Sequence, residues 1–95
     1  DFMKEQIVLR VKEALISTLN LDPSTSISPD CRLKEDMNLD SMSSLTFLMA
    51  LEESIPNFII NPETLSVEDL TNVESVSNYV IQELNSTEEF SEDKD

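Results

Sequence analysis

The pair Asp40-Ser41 is the place in this chain where the residue types could support chemistry. The two residues stand directly before a strongly apolar segment that has the length of a helix. Aspartate is a preferred helix N-cap, because its carboxylate accepts hydrogen bonds from free N–H groups of the first turn. Such pairs are common. On the local sequence alone, the simpler interpretation is that Asp40 caps the helix and Ser41 is an ordinary first-turn residue.

The composition excludes most kinds of enzyme site. The chain has no histidine, so it cannot build a Ser-His-Asp or Cys-His arrangement, and one cysteine without histidine leaves no plausible zinc site. It also has no glycine, which removes phosphate-binding loops, the dinucleotide fingerprint and the glycine on which an EF-hand loop turns. We therefore expect a protein that is not an enzyme and has no metal site.

Length and composition favour one small all-α domain. The 95 residues are enough for a single compact core, and the chain is 39% hydrophobic but only 5% aromatic. Such a core is built mainly from Leu, Ile, Val and Met, which suits helices packed on helices. Without glycine, the positive-φ turn positions of β-hairpins are hard to fill.

Acidic residues dominate the charge. The chain has 20 acidic and 6 basic residues, for a net charge of −14, and fourteen acids but no base lie between Lys34 and Lys94. This charge repels nucleic acid and anionic membranes, so we expect neither as a partner. It attracts protein surfaces with basic patches. The alternative is that the acidity only keeps a small protein soluble.

The location is predicted from what the sequence lacks. Cys31 is the only cysteine, so no intramolecular disulfide can form. No apolar run has the length of a membrane span and no signal peptide is visible, so we expect a cytoplasmic protein. We also expect it to be a monomer. The sequence leaves open whether the chain is free-standing or a domain excised from a longer protein.

Apolar residues recur at helical spacing over residues 2–20, which predicts a first helix with one apolar stripe. Asn20 can take the left-handed conformation that glycine usually supplies at a helix end, and Pro23 follows as a stop. Residues 22–39 then form a long, ordered loop, in which residues 33–37 suit one helical turn. The apolar anchors of this loop are Ile27, Leu33, Met37 and Leu39.

A second main helix is predicted from about Ser41 to Ser54, before Pro56. Its apolar face is wider than a surface helix needs, so we expect most of that face to serve as core and the helix to be central to the bundle. The face comprises Met42, Leu45, Phe47, Leu48, Met49, Leu51 and Ile55.

Two capping patterns predict the remaining helices. Residues 66–69 (SVED) suit a short capped helix, and residues 71–74 (TNVE) form a capping box that starts a last main helix ending near Asn85. We therefore predict an all-α four-helix bundle over residues 1–85, with three main helices, one short helix, and a long loop between the first two main helices. Residues 86–95 are Ser, Thr and acids around one Phe, which is typical of a disordered acidic tail.

The segment Met37-Asn38-Leu39-Asp40-Ser41-Met42 resembles the attachment motif of acyl carrier proteins, usually read as L-G-x-D-S-L. Other segments are similar to the first loop, the second helix and the last helix of that family, in order and at its spacing, over about residues 5–85. These segments are Leu21-Asp22-Pro23, Ile27-Ser28-Pro29-Asp30, Leu33-Lys34-Glu35-Asp36, Met49-Ala50-Leu51-Glu52-Glu53, Thr71-Asn72-Val73-Glu74 and Asn78-Tyr79-Val80.

The resemblance implies a cofactor. In the family, the motif serine carries 4′-phosphopantetheine, which assigns that attachment to Ser41, with Asp40 as motif residue and helix cap. A phosphodiester there would lie at a helix N-terminus, where free N–H groups and the macrodipole favour an anion. The chain would hold acyl intermediates as thioesters on this arm and pass them between enzymes of fatty-acid, lipid or specialised-metabolite synthesis.

The resemblance also implies partners. They are a phosphopantetheinyl transferase and acyl-activating, acyltransferase or synthase enzymes with basic docking patches. Ser43 and Thr46 are neutral where typical fatty-acid carriers are acidic, which shifts the expected docking surface along the chain and also fits a carrier dedicated to one pathway. The residues predicted to bind partners are Met42, Leu45, Glu52, Glu53, Glu68 and Asp69. The competing hypothesis is a non-enzymatic acidic helical adaptor that receives no prosthetic group.

Overall fold

The computed structural model describes the backbone of residues 2–94 and the side chains of residues 3–86. This part of the chain is helical, and α1 packs against both of the other long helices. The all-α prediction of three main helices, with a long loop between the first two, is confirmed. The elements in chain order are α1 (Phe2–Leu19), α2 (Leu33–Met37), α3 (Ser41–Ser54), a 3₁₀ helix (Val67–Leu70) and α4 (Val73–Lys94).

α1 buries the stripe that its sequence predicts. The helix ends where Asn20 takes a positive φ of 57°. Leu21 N–H then donates to Ile16 C=O at 2.9 Å and closes the last turn. The predicted stop at Asn20 is confirmed. The buried residues of the stripe are Ile7, Val11, Ala14 and Leu15.

Backbone hydrogen bonds tie the loop between α1 and α2 to the start of α4. Leu33 N–H donates to Thr71 C=O at 2.9 Å, and Glu74 N–H donates to Pro29 C=O at 3.1 Å. Ile27 is buried in the core from the same loop, as predicted. The loop is therefore held at both its middle and its end by the body of the fold.

Asn38 reverses the chain between α2 and α3. It has a positive φ of 60°. The N–H groups of Asn38 and Leu39 both donate hydrogen bonds to Leu33 C=O, and the bond from Leu39 measures 3.0 Å. The turn buries Leu39 and leaves Asp40 in position to begin α3. Asparagine tolerates the left-handed conformation better than other residues with a Cβ, so it fills this position without glycine.

α3 has two apolar sides that face different surroundings. Phe47 and Leu51 are fully buried in the core. Three other apolar residues of the broad face lie on the surface, while the rest of that face is buried in the core or packed against it, as predicted for most of its residues. Residue type alone does not tell which side of an apolar helix meets its neighbours. The exposed residues are Met42 (79%), Leu45 (60%) and Met49 (54%).

The segment between α3 and the 3₁₀ helix is held by side chains. The Glu52 carboxylate accepts a hydrogen bond from Ile60 N–H at 2.8 Å. The Tyr79 hydroxyl on α4 accepts from Asn61 N–H at 3.1 Å and donates to Asn61 C=O at 3.2 Å. Phe58 packs edge-on against the Tyr79 ring, with 6.2 Å between ring centroids. These contacts connect α3 and α4 through a stretch without regular structure.

The short helix predicted at residues 66–69 is a 3₁₀ helix. The Asp69 carboxylate accepts hydrogen bonds from Ser66 N–H at 2.8 Å and from the Ser66 hydroxyl at 3.1 Å. The capping pattern predicted for this segment is confirmed.

The cap of α4 differs from the predicted one. Ser75 N–H donates to Asn72 Oδ1 at 2.8 Å, and Asn72 N–H donates to Ser75 Oγ at 3.0 Å. The predicted box of Thr71 and Glu74 is therefore wrong by one position. The Thr71 hydroxyl bonds instead to the 3₁₀ helix, and Glu74 forms an ion pair with Lys4 at 2.5 Å.

α4 continues to Lys94, so the predicted end near Asn85 is wrong. The side chains of residues 87–95 lie outside the described part, and the predicted tail over residues 86–95 and the domain boundary before it stay predictions. Among the described residues, none of the helices is both long enough and apolar enough to cross a membrane.

Candidate functional site

Asp40 and Ser43 cap α3 reciprocally. The Asp40 carboxylate accepts hydrogen bonds from Ser43 N–H at 2.9 Å and from the Ser43 hydroxyl at 2.7 Å, while Asp40 N–H donates to Ser43 Oγ at 2.9 Å. The bonds from the Ser43 backbone and hydroxyl lower the pKa of the Asp40 carboxyl, so it is ionised at neutral pH. The predicted cap is confirmed. The neutral Ser43, which stood out in the sequence, completes this cap.

Ser41 is the first residue of α3, and its side chain is exposed. Within the described residues its hydroxyl makes no hydrogen bond, so no bond must break before the oxygen can form an ester. The 14-residue helix directs the positive end of its dipole toward this position. The Asp40 carboxylate already accepts the hydrogen bond from Ser43 N–H. That N–H is therefore not free to bind a phosphate, and only part of the anion binding that the sequence predicts for this helix end remains.

Ser41 opens onto a groove of about 390 Å³ between the start of α3 and the 3₁₀ helix, which we call the Ser41 groove. Its volume is within the range of small-molecule sites in proteins. The residues from α2 and the start of α3 are Lys34, Glu35, Leu39, Asp40, Ser41 and Ser44. The residues from the 3₁₀ helix and the position after it are Val67, Leu70 and Thr71.

These groups suit a phosphodiester joined to a largely neutral arm. Ser41 offers the oxygen for the ester, and the ammonium of Lys34 offers a positive charge in the same groove. Leu39, Val67 and Leu70 offer apolar surface, and the Val67 side chain is 85% exposed. The residues present therefore fit the group that the attachment motif implies.

An apolar strip runs along α3 from the attachment position. Met42, Leu45 and Met49 recur at the spacing that places side chains on one helix face, and all three are exposed. We call them the α3 strip. Met42 and Leu45 were predicted to bind partners, whereas Met49 was predicted only as part of the broad apolar face. Exposed apolar residues in such a row are available for contacts with other molecules.

The four acids predicted to bind partners divide into two kinds. Glu52 and Asp69 each accept hydrogen bonds from backbone N–H groups, those of Ile60 and Ser66. The side chains of Glu53 and Glu68 are exposed and have no hydrogen bond or ion pair within the described residues. Sequence reasoning treated all four alike. The bond from Ile60 N–H to Glu52 leaves no local pattern, whereas the capping pattern of residues 66–69 could have separated Asp69 from the free acids.

Among the side chains that the structure describes, no other cluster suggests chemistry. No group of His, Cys, Asp and Glu in the described part of the chain is arranged to hold a metal ion. Cys31 is half-buried, and burial raises the pKa of its thiol, with Asp36 and Asp30 adding to the shift. A raised pKa disfavours the thiolate, so Cys31 is a poor nucleophile at neutral pH.

Comparison with known proteins identifies the family. The family described as "Phosphopantetheine attachment site" matches residues 9–80. The acyl carrier protein of Phytoplasma australiense is 35% identical over 78 residues, which cover 82% of this chain and 97% of that protein. The acyl carrier protein of Aster yellows witches'-broom phytoplasma is 32% identical over 71 residues, or 75% of this chain and 88% of that protein.

A third relative, the acyl carrier protein of Rubrobacter xylanophilus, is 29% identical over 79 residues, which cover 83% of this chain and 93% of that protein. No solved structure gives a significant match. The family match covers most of the chain and includes both Asp40 and Ser41. The chain therefore belongs to the phosphopantetheine-attachment family of carrier proteins.

Proposed function

We propose that Ser41 is the residue through which this chain, an acyl carrier and not an enzyme, holds 4′-phosphopantetheine. The observation that carries the assignment is the position of the Ser41 hydroxyl. It is exposed and unbonded at the first position of α3, at the Ser41 groove, and it lies within the matched family segment. The Asp40–Ser43 cap fixes the helix end that presents it.

In the attachment reaction, the Ser41 oxygen forms a bond to the phosphorus of coenzyme A that bears pantetheine. The pyrophosphate P–O bond breaks, adenosine 3′,5′-bisphosphate leaves, and the hydroxyl proton passes to a base of the transferase. When bound, the group supplies a thiol on a flexible arm, where acyl groups are held as thioesters. The helical bundle holds the arm's origin in place while enzymes act on its end.

Two surface features support docking on partner enzymes in the cytoplasm. The α3 strip offers apolar contact beside the attachment point, and Glu53 and Glu68 offer free negative charge. Basic patches on a phosphopantetheinyl transferase and on acyl-activating, acyltransferase or synthase enzymes complement this charge, which mainly raises the association rate. Ser43 and Thr46 are neutral where typical fatty-acid carriers are acidic. This difference favours a pathway other than general fatty-acid synthesis.

Intact-protein mass spectrometry tests the assignment. The apo chain, incubated with coenzyme A, Mg²⁺ and a phosphopantetheinyl transferase, should gain the mass of one phosphopantetheine. Ser41→Ala should abolish the gain. Ser44→Ala is the matched control, because Ser44 lines the same groove on the same helix and should leave the gain intact. Ser43→Ala is unsuitable as a control, because it removes the α3 cap.

Two results would overturn the proposal. A mass gain that persists in Ser41→Ala places the attachment on another residue. No gain in the unmodified chain, with a transferase that modifies other carriers, supports an acidic helical adaptor without a prosthetic group.

A further inference from the structure

The Ser41 groove is negatively charged before any group is attached. Its charged residues are Glu35, Asp40 and a single cation, Lys34. A phosphodiester on Ser41 adds a further negative charge next to the Asp40 carboxylate, which is held in place by Ser43 and cannot turn away without breaking the α3 cap. Like charges this close disfavour one another unless a positive charge lies between or beside them.

Lys34 is available to supply that positive charge. The ion pairs of the described side chains use Lys4, Arg10 and Arg32, and Lys34 takes part in none of them. Lys34 also has a fixed position relative to Ser41. It lies on α2, and the Asn38 turn and the Leu39 N–H bond to Leu33 C=O connect α2 directly to the start of α3.

The opposite side of the groove offers apolar surface for the part of the arm beyond the phosphate. Val67 of the 3₁₀ helix is 85% exposed, although the burial of a valine side chain is favourable. Leu70 and Leu39 line the same groove and are already partly or fully buried. A chain lying in the groove would cover Val67 and contact the other two.

We propose that Lys34 is a positioning residue for the prosthetic arm, pairing with the phosphodiester on Ser41 and holding the first part of the arm in the Ser41 groove against Val67 and Leu70. The inference rests on the attachment at Ser41 proposed above. It gives the carrier two arm positions, one docked in the groove and one extended to a partner enzyme. Salt weakens the ion pair and therefore releases the arm.

The expected change in the ratio of docked to extended arm follows from the strength of one ion pair at an exposed site. Removing the Lys34 charge should lower the ratio of docked to extended arm about two- to fivefold. Lys34→Met removes the charge and keeps the length of the side chain, and Lys34→Arg keeps the charge. Lys12→Met on α1 is the matched control, because it makes the same change outside the groove.

Nuclear magnetic resonance of ¹⁵N-labelled protein tests the proposal. Apo and holo forms of each chain are compared, with the mass gain confirming attachment. In the unmodified sequence we expect the backbone amides of Val67 and Leu70 to shift between the two forms, and the shift to shrink as NaCl is added. Lys34→Met should reduce these shifts and move the ³¹P resonance, while Lys34→Arg and Lys12→Met should behave as the unmodified sequence.

Two outcomes overturn the inference while leaving the attachment intact. In the first, the chemical-shift changes of the unmodified sequence are confined to the residues adjoining Ser41 and do not depend on the NaCl concentration. In the second, Lys34→Met and Lys12→Met give the same shifts. Thermal melting shows whether each variant is folded, and the salt series on the unmodified sequence tests the proposal if a variant fails to fold. A missing mass gain would instead count against Ser41 as the attachment residue.

Discussion

The free acids and the bonded acids of the proposed docking surface should respond differently to charge reversal. Glu53→Lys and Glu68→Lys remove charges whose side chains bond to nothing in the described chain, so they should weaken docking and leave the fold stable. Glu52→Lys and Asp69→Lys remove the same charge but also break hydrogen bonds to Ile60 N–H and to Ser66. These two variants should weaken docking and lower stability.

The magnitudes follow from the contacts. An exposed charge pair contributes about 0.2–1 kcal/mol, so each single reversal should weaken binding by less than about fivefold. Glu53→Lys combined with Glu68→Lys should weaken it by up to about 25-fold if the two effects add. Loss of the Glu52 hydrogen bond costs about 0.5–1.5 kcal/mol. In a domain of this size, that lowers the melting temperature by about 2–12 °C.

Two measurements on the same variants separate docking from folding. The first is the rate of phosphopantetheine transfer at limiting carrier concentration and at two salt concentrations, where reversal should slow the reaction and flatten its salt dependence. The second is the melting temperature by circular dichroism. Glu52→Gln is the matched control, because its amide oxygen can still accept from Ile60 N–H while the charge is gone.

Either of two results would refute this reasoning. If Glu53→Lys lowers the melting temperature as much as Glu52→Lys, the bond from Glu52 to Ile60 does not stabilise the segment that follows α3. If the double variant Glu53→Lys with Glu68→Lys leaves both the transfer rate and its salt dependence unchanged, docking is chiefly apolar. Met42→Ala and Leu45→Ala in the α3 strip should then produce the loss.

Four further predictions concern charge, turns and the cap. Because the chain carries a net charge of −14, added NaCl or millimolar Mg²⁺ should raise the melting temperature, and a flat response would show that the charges are too far apart to matter. Asn38→Gly should leave the melting temperature nearly unchanged. Asn38→Ala should lower the free energy of unfolding, measured with urea, by about 1–2 kcal/mol, because alanine is strained at a φ of 60°. Equal stability of the two variants would contradict this strain. The pKa of Asp40 is lowered from 3.8 in the folded chain, so its charge adds stability above that value and the gain is lost as the pH falls through the folded pKa. The stability difference between the unmodified sequence and Asp40→Asn should therefore shrink from pH 7 to pH 2, and a constant difference would exclude a role for the charge. Thr46 is exposed, and within the described residues its hydroxyl bonds only to Met42 C=O at 3.3 Å, so Thr46→Glu should restore an acidic position without unfolding the chain. It should raise the rate with general fatty-acid enzymes more than the rate with the chain's own partner, and equal changes would argue against a dedicated pathway.

Local signals in the sequence predict much of the fold. The stripe of α1, the left-handed Asn20 and the Asp40 cap each depend on residues within about one helical turn of one another, and all are present in the structure. The error at the start of α4 has the same origin. Thr71 and Asn72 are both good N-caps, and the local sequence does not choose between them. In the structure Asn72 caps with Ser75, and Glu74 pairs with Lys4 from the far end of the chain.

Features that depend on tertiary structure could not be predicted in this way. The sequence of α3 is apolar on most sides, so only its packing against α1 shows that Phe47 is buried while Met49 is exposed. The Ser41 groove combines residues from α2, α3 and the 3₁₀ helix, and no local pattern links Lys34 to Val67. The attachment motif therefore locates Ser41 but not the surface beside it.

The hydrogen bonds between the first loop and the start of α4 bear on how the site forms. Leu33 N–H to Thr71 C=O and Glu74 N–H to Pro29 C=O join segments that are far apart in the sequence, and closing such long loops costs chain entropy before any contact repays it. A chain emerging from the ribosome can form α3 as soon as that segment is available. The groove also needs the 3₁₀ helix and Thr71, which lie later in the chain. A transferase that recognises the groove, rather than the serine alone, would thus modify only chains in which that later segment has folded against α2.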